Sequence, residues 1–94
     1  MPDKTWKAAE RAIAAMLGGE RVGCTGEATA DVLTEGLAVE VKTRKLLPAW
    51  LKDAMRQAVD NADDKTPVVV LHEVGQRHDG DLVLLRLADF AGML

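Results

Sequence analysis

The chain has 94 residues, of which 48% are hydrophobic and 29% charged, and this composition predicts one folded domain over residues 1–94 and excludes a disordered chain. No stretch approaches the ~20 apolar residues of a membrane-spanning helix, and the first residues lack the basic start of a signal peptide, so we expect a cytoplasmic protein without a membrane partner. The single cysteine, Cys24, excludes an internal disulfide and argues against a structural zinc site, while the net charge of −3 argues against a strong nucleic-acid binder.

The first predicted element is a helix over residues 3–17, with Asp3 as its N-cap and the glycine pair at 18–19 as its end. Glu10 falls inside the apolar stripe of this helix, where a carboxylate is costly without a partner. A salt bridge to Lys7 or Arg11 and a role in a site are both consistent with its position. The predicted apolar face consists of Trp6, Ala9, Ile13, Met16 and Leu17.

Three short strands are predicted next. The first lies around residues 21–22 and precedes a loop, the second includes residues 31–33, and the third covers residues 37–43 after a tight turn. Because side chains alternate along a strand, Glu40 and Lys42 share one side of the third strand, about 7 Å apart, and the valines between them face the other way.

The second half of the chain begins with a helix from Pro48 to about Ala62. A buried strand over residues 67–73, a turn, a last strand over residues 81–87 and a short helix follow. On the buried strand we expect His72 to be a hydrogen-bonded core residue, whereas His78, in the turn, should be exposed and idle. The order α-β-β-β-α-β-β predicts an α/β fold with a right-handed crossover and a mixed central β-sheet flanked by helices.

The basic residues are concentrated in one segment. Residues 42–56 carry five basic residues and one acid, whereas the remainder carries seven basic and fourteen acidic residues. The chain therefore has one positive segment on an otherwise acidic body, and contact with phosphate is favoured over ordinary solvation for its side chains. The candidates for nucleic-acid binding are Arg44, Lys45, Lys52 and Arg56.

Four charged residues depart from the apolar patterns: Glu10, Asp31, Glu40 and Lys42. Two carboxylates on adjacent strands can hold a hard divalent cation such as Mg²⁺. A lysine beside such a cation can orient or help deprotonate a water molecule and can balance charge on a pentacoordinate phosphorus. This grouping predicts metal-assisted phosphodiester hydrolysis.

Asp31, eight intervening residues and then Glu40-Val41-Lys42 resemble the D-(x)n-E-x-K motif of the PD-(D/E)xK nuclease superfamily. The N-terminal helix with Glu10 is similar to that of its archaeal-type Holliday junction resolvase branch, and the resemblance extends to about residue 87. It implies a restriction-endonuclease-like fold. It also implies Mg²⁺, with Mn²⁺ as a substitute, bound by Asp31, Glu40 and the carbonyl oxygen of Val41.

The resemblance implies further roles. Lys42 would serve the attacking water, Glu10 would complete the acidic cluster, and Gln57 matches a glutamine that many members place near the site. Thr25 is the nearest match to a small hydroxyl residue in the loop before the aspartate. Ala30 stands where the family has proline, a tolerated change because proline supplies shape and no ligand.

The function implied is that of a magnesium-dependent, structure-selective DNA endonuclease, similar to a Holliday junction resolvase, that cuts branched DNA during recombination. Symmetric cutting requires two centres, so we expect a homodimer, and the apolar segment 82–94 is a candidate surface for self-association. Two alternatives remain open. One is a nuclease of this fold acting on flaps, single strands or a specific duplex sequence, and the other is a non-catalytic DNA-binding or assembly module.

Overall fold

The computed structural model describes residues 5–23 and 30–94, with two compact units over residues 1–45 and 46–94. Helices and strands occur in both units, which confirms the α/β class. The assignment of residues 1–94 to one domain stays a prediction. None of the helices in the described ranges has the length and the apolar run that a membrane crossing requires.

The first unit begins with helix α1, Thr5–Leu17. Gly18 ends it at a φ of 70°, a conformation that glycine adopts without steric cost, and the amide of Gly19 donates to the carbonyl of Ala14 at 2.9 Å. The predicted end of the helix is therefore confirmed. The predicted N-cap, Asp3, lies outside the described residues.

The buried face of α1 differs from the predicted one. Glu10, Ala14 and Leu17 are buried, whereas Trp6 and Met16 are exposed. Met16 is exposed because it lies about 120° around the helix from Glu10, the centre of the packed face, whereas Trp6 lies about 40° from Glu10 and is exposed in the first turns of the helix. The prediction was thus wrong in placing Trp6 and Met16 on the core side.

Three strands form an antiparallel sheet in the order β1, β2, β3, with β1 at Glu20–Arg21, β2 at Val32–Leu33 and β3 at Ala38–Val39. Val32 pairs with Arg21 on one side and with Val39 on the other, and its side chain is fully buried. Helix α1 packs against β1 and β2. The small apolar core of this unit therefore lies between α1 and the middle strand.

The turn between β2 and β3 is held by Thr34, whose Oγ1 accepts the amides of Gly36 at 3.2 Å and Leu37 at 3.0 Å. Strand β3 is shorter than predicted because its partner β2 is only two residues long. The predicted alternation nevertheless continues beyond it: Val41 is half-buried, and Glu40 and Lys42 are exposed.

The second unit contains helix α2 at Ala49–Asp60, strand β4 at Val69–Leu71, strand β5 at Leu82–Leu84 and helix α3 at Leu87–Met93. Pro48 is the residue before α2, as its fixed φ favours, and α2 packs against β4. A 3₁₀ turn, His78–Gly80, precedes β5. The two strands form an antiparallel hairpin in which Val70 faces Val83.

The predicted mixed central sheet with a crossover is not found among the described strands, which form two separate antiparallel sheets. Each strand is two or three residues long and pairs with its neighbour in the sequence, a connection that short turns allow in antiparallel sheets. The strand predicted as buried over residues 67–73 is also shorter, and it exposes Val68 and Val70 although Pro67 is buried.

Candidate functional site

The first unit has a surface groove of about 340 Å³ that contains five of the predicted site residues. Helix α1, the residue before β2 and the segment after β3 each contribute to it. We call it the Asp31 groove. Its lining residues are Trp6, Glu10, Asp31, Val41, Lys42, Thr43 and Arg44.

Asp31 is hydrogen-bonded to the chain segments that follow β1 and β3. Its Oδ2 accepts the backbone amide of Val41 at 2.8 Å, and its own carbonyl oxygen accepts the amide of Val22 at 2.9 Å. Because Val32 pairs with Val39, the same register continued by one residue places Asp31 opposite Glu40. The hairpin thus explains how residues separated by eight positions come to one end of the sheet. A carboxylate has about four acceptor positions, so the bond to Val41 leaves capacity for a further ligand.

Glu10 has the partner that its position requires. Its Oε2 lies 3.2 Å from Nε of Arg21 on β1, and its side chain is only 6% exposed. The guanidinium of Arg21 also lies over the ring of Trp6, with Cζ 5.7 Å from the ring centroid. Arg21 therefore connects α1 to the sheet, and Glu10 combines a structural ion pair with a place in the Asp31 groove.

Glu40 and Lys42 share one exposed side of the chain, as predicted. Nζ of Lys42 lies 3.9 Å from Oε2 of Glu40, and the two side chains are 70% and 59% exposed. An ion pair at this distance and exposure contributes little to stability. Lys42 lines the Asp31 groove. Glu40 contacts Lys42 but is not itself among the lining residues.

The predicted acidic cluster is looser than a three-ligand metal site. Within residues 5–23 and 30–94, the one group of three acidic, histidine or cysteine side chains close enough to share an ion lies elsewhere, in the second unit. Mg²⁺ commonly takes one or two carboxylates and completes its shell with water. Binding by Asp31, Glu40 and the Val41 carbonyl therefore stays a prediction.

The residues predicted to contact nucleic acid are divided between the two units. Arg44 lines the Asp31 groove and donates from Nη1 to the carbonyl of Thr43 at 3.0 Å, and Lys45 is exposed nearby in sequence. Lys52, Arg56 and Gln57 lie on α2. Thr25 lies outside the described residues.

On α2, Arg56 pairs with Asp53 at 2.7 Å, and both side chains are mostly exposed. Gln57 lines a shallow groove with Trp50, Asp53, Arg56 and others. The roles of Gln57, Lys52 and Arg56 in a nuclease site stay predictions. The only structural support for these roles is that all three side chains are exposed to solvent on α2.

The sequence interpretation missed a cluster formed by His72, His78 and Asp81. Nδ1 of His72 lies 2.6 Å from Oδ1 of Asp81, Nδ1 of His78 lies 3.0 Å from Oδ2, and the two imidazole rings stack with centroids 4.2 Å apart. The expectation that His78 is idle was wrong, and His72 is hydrogen-bonded but lies at the surface. The pairing of Leu71 with Leu82 brings His72 opposite Asp81, a register that the sequence alone does not give.

Comparisons with known proteins give no relative for this chain. No protein-family model, no curated protein and no solved structure matches it. The function is therefore inferred from the residues of the chain and their geometry.

Proposed function

We propose that the chain is a Mg²⁺-dependent, structure-selective DNA endonuclease, similar to a Holliday junction resolvase and acting as a homodimer on branched DNA. The observation that carries this proposal is the Asp31 groove. It gathers Glu10, Asp31, Val41 and Lys42 from separate elements, with Asp31 bound to the amide of Val41. The resemblance to the PD-(D/E)xK motif assigns roles to the same residues.

The donor set is chemically suited to magnesium. Asp31 and Glu40 offer carboxylate oxygens and Val41 offers a carbonyl oxygen, the hard ligands that Mg²⁺ prefers. The hydrogen bond between Asp31 and Val41 holds two of these residues together, and the hairpin register brings Glu40 opposite Asp31. When bound there, the ion would act as a Lewis acid on the scissile phosphate.

Lys42 and Arg44 would act on the phosphate and the water. Both line the Asp31 groove, and Lys42 also contacts Glu40. A protonated Lys42 would stabilise negative charge that develops on the phosphate oxygens and would orient the attacking water. Arg44 and Lys45, the next cations along the chain, would hold the DNA backbone, which makes binding weaken as salt concentration rises.

The same proposal includes a specific fold and a specific oligomeric state. We propose a restriction-endonuclease-like fold, and a homodimer that would supply two centres for the two strands of a junction. The element order of the chain is compatible with that architecture.

A cleavage assay tests the proposal. The full chain is incubated with Mg²⁺, Mn²⁺ or EDTA and a labelled four-way junction, flap, single strand or duplex. We expect metal-dependent cleavage that is fastest on the junction. Cleavage of another substrate in preference would favour the alternative specificity, and no cleavage of any of them would overturn the enzyme proposal.

Variants assign the residues. Lys42→Ala should lower the rate by roughly 10²-fold or more, the usual effect of losing a group that stabilises charge in the transition state. Asp31→Asn should lower it similarly while the fold persists, because the amide oxygen of asparagine can still accept the Val41 amide. Matched controls are Glu35→Gln, which changes an exposed turn residue of the same unit, and Lys65→Ala, which removes an exposed lysine of the second unit.

One observation favours the non-catalytic alternative. Glu40 is largely exposed, and among the described residues the carboxylates of Glu10, Asp31 and Glu40 do not form a three-ligand group. A DNA-binding or assembly module would need none of them as ligands. DNA binding that persists in EDTA, without turnover and unchanged by Glu40→Gln, would support this function.

A further inference from the structure

We propose that His72, His78 and Asp81, the histidine cluster, form a binding site for a divalent transition-metal ion of the Zn²⁺ class. Both histidines of the chain take part. The cluster lies in the second unit and contains none of the residues of the Asp31 groove. The inference therefore does not depend on the nuclease proposal.

The hairpin positions the three side chains by two local devices. The pairing of Leu71 with Leu82, continued by one residue, brings His72 opposite Asp81 on the same face of the hairpin. The 3₁₀ turn then places His78 three residues before Asp81, whose amide donates to the carbonyl of His78 at 3.0 Å. One potential ligand atom from each residue lies within 4.8 Å of the others.

The donor set indicates the class of metal. Two imidazole nitrogens and one carboxylate oxygen suit Zn²⁺, Co²⁺, Ni²⁺ or Cu²⁺, whereas Mg²⁺ and Ca²⁺ prefer oxygen ligands throughout. Zinc bonds of ~2.0 to 2.2 Å in a tetrahedral site separate neighbouring ligand atoms by roughly 3.3 Å. The two nitrogen to oxygen distances are 2.6 Å and 3.0 Å, so a modest separation of the side chains would admit the ion.

The surroundings leave room for a further ligand. The Asp81 side chain is 12% exposed, whereas that of His78 is 82% exposed. Asp81 is therefore held in place by its surroundings, while the imidazole of His78 has room to move towards an ion. Asp81, His72 and Asp79 border an open groove of about 570 Å³. Three protein ligands with an open fourth position are typical of zinc sites that bind water or an external group.

Without a metal, the same three residues would serve only as a hydrogen-bonded link between β4 and β5. The two roles differ in what the histidine nitrogens bind, because a metal ion replaces the proton on Nδ1 whereas a hydrogen bond retains it. A measurement at the imidazole nitrogens therefore separates them.

The test uses the full chain without an affinity tag and with Cys24→Ser, which removes the only thiol. Zn²⁺ is titrated calorimetrically, Co²⁺ is followed by its visible absorption, and the two histidines are observed by ¹⁵N NMR. We expect one ion per chain, the visible absorption that is typical of Co²⁺ with a low coordination number, and a shift of both Nδ1 resonances.

Three variants and one control complete the experiment. His72→Gln, His78→Gln and Asp81→Asn should each weaken binding by more than the ~10- to 100-fold that loss of an outer-shell partner causes. Asp64→Asn makes the same change of charge on an exposed side chain of the second unit that does not line this groove, and should leave binding unchanged. Circular dichroism checks that each variant is folded.

The proposal is overturned if one-to-one binding is absent, or if it survives Asp81→Asn and both histidine changes. Loss of binding in Asp64→Asn to the same degree would also overturn it, because the effect would then be one of net charge. A nuclease assay that fails under all conditions has no bearing on these outcomes.

Discussion

Glu10 is the one buried charged side chain among the described residues. Taking a carboxylate out of water costs several kcal/mol, and here Arg21 offsets that cost through one contact of 3.2 Å. Arg21 keeps part of its surface in water and covers Trp6, so a single side chain ties the helix to the sheet edge. The shape of the Asp31 groove depends on this link, because Glu10 and Trp6 both line it.

Arg21→Met should lower the free energy of unfolding by about 3 kcal/mol, because it leaves the Glu10 carboxylate buried without its partner. Adding Glu10→Leu to it should recover part of that loss, since no charge is then buried. Urea unfolding followed by circular dichroism measures both.

The matched control is Arg56→Met, which breaks an exposed pair with Asp53 and should cost no more than about 1 kcal/mol. Equal losses for Arg21→Met and Arg56→Met would show that the pair of Glu10 and Arg21 contributes no more to the free energy of unfolding than an exposed ion pair does.

At the scale of elements, the connection between α1 and β1 requires a close approach of two backbones. A Cβ atom built on Gly19 would lie 2.5 Å from the carbonyl oxygen of Leu33 on β2, so no larger residue fits without a shift. We expect Gly19→Ala to lower the free energy of unfolding by about 1 to 3 kcal/mol, as overpacking does elsewhere. Gly36→Ala is the control, because its Cβ would meet open space and φ there is not positive.

Thermal unfolding compares the two glycine variants. Gly36→Ala should be neutral or stabilising by less than about 1 kcal/mol, since alanine restricts the unfolded chain. Similar losses at both positions would contradict the prediction, because the contact with Leu33 exists only at Gly19.

The elements themselves were largely readable from the sequence. The end of α1 at Gly18 and the start of α2 after Pro48 follow from local backbone preferences, and the alternation around Val41 follows from strand geometry. The partner of Glu10 was not readable, because Arg21 lies eleven residues away on β1 and no local pattern predicts that contact. The histidine cluster was missed because it requires the hairpin register, which only becomes certain once the strand pairs are known.

At the scale of the whole molecule, sequence order did not determine how the strands join. The order of elements favours a crossover between β3 and β4, but the described strands pair only with their neighbours in sequence. Pairing of distant strands depends on tertiary packing that no local pattern encodes. The same applies to the candidate site: Glu10, Val41 and Lys42 line the groove around Asp31, whereas Glu40, which belongs to the same motif, is not among its lining residues.

The proposed homodimer leads to a prediction at this scale. Val70 and Val83 face each other on one side of the hairpin and are 59% and 60% exposed, an apolar surface that a second copy of the chain could cover. We expect the wild-type chain to be dimeric in light scattering after gel filtration, and Val83→Lys to shift it towards the monomer, since a charge in an apolar interface is costly. Val74→Lys, at a turn position that is 92% exposed, should leave the dimer intact. A monomeric wild type at high concentration would contradict the homodimer, and a dimer that survives Val83→Lys would place its interface elsewhere.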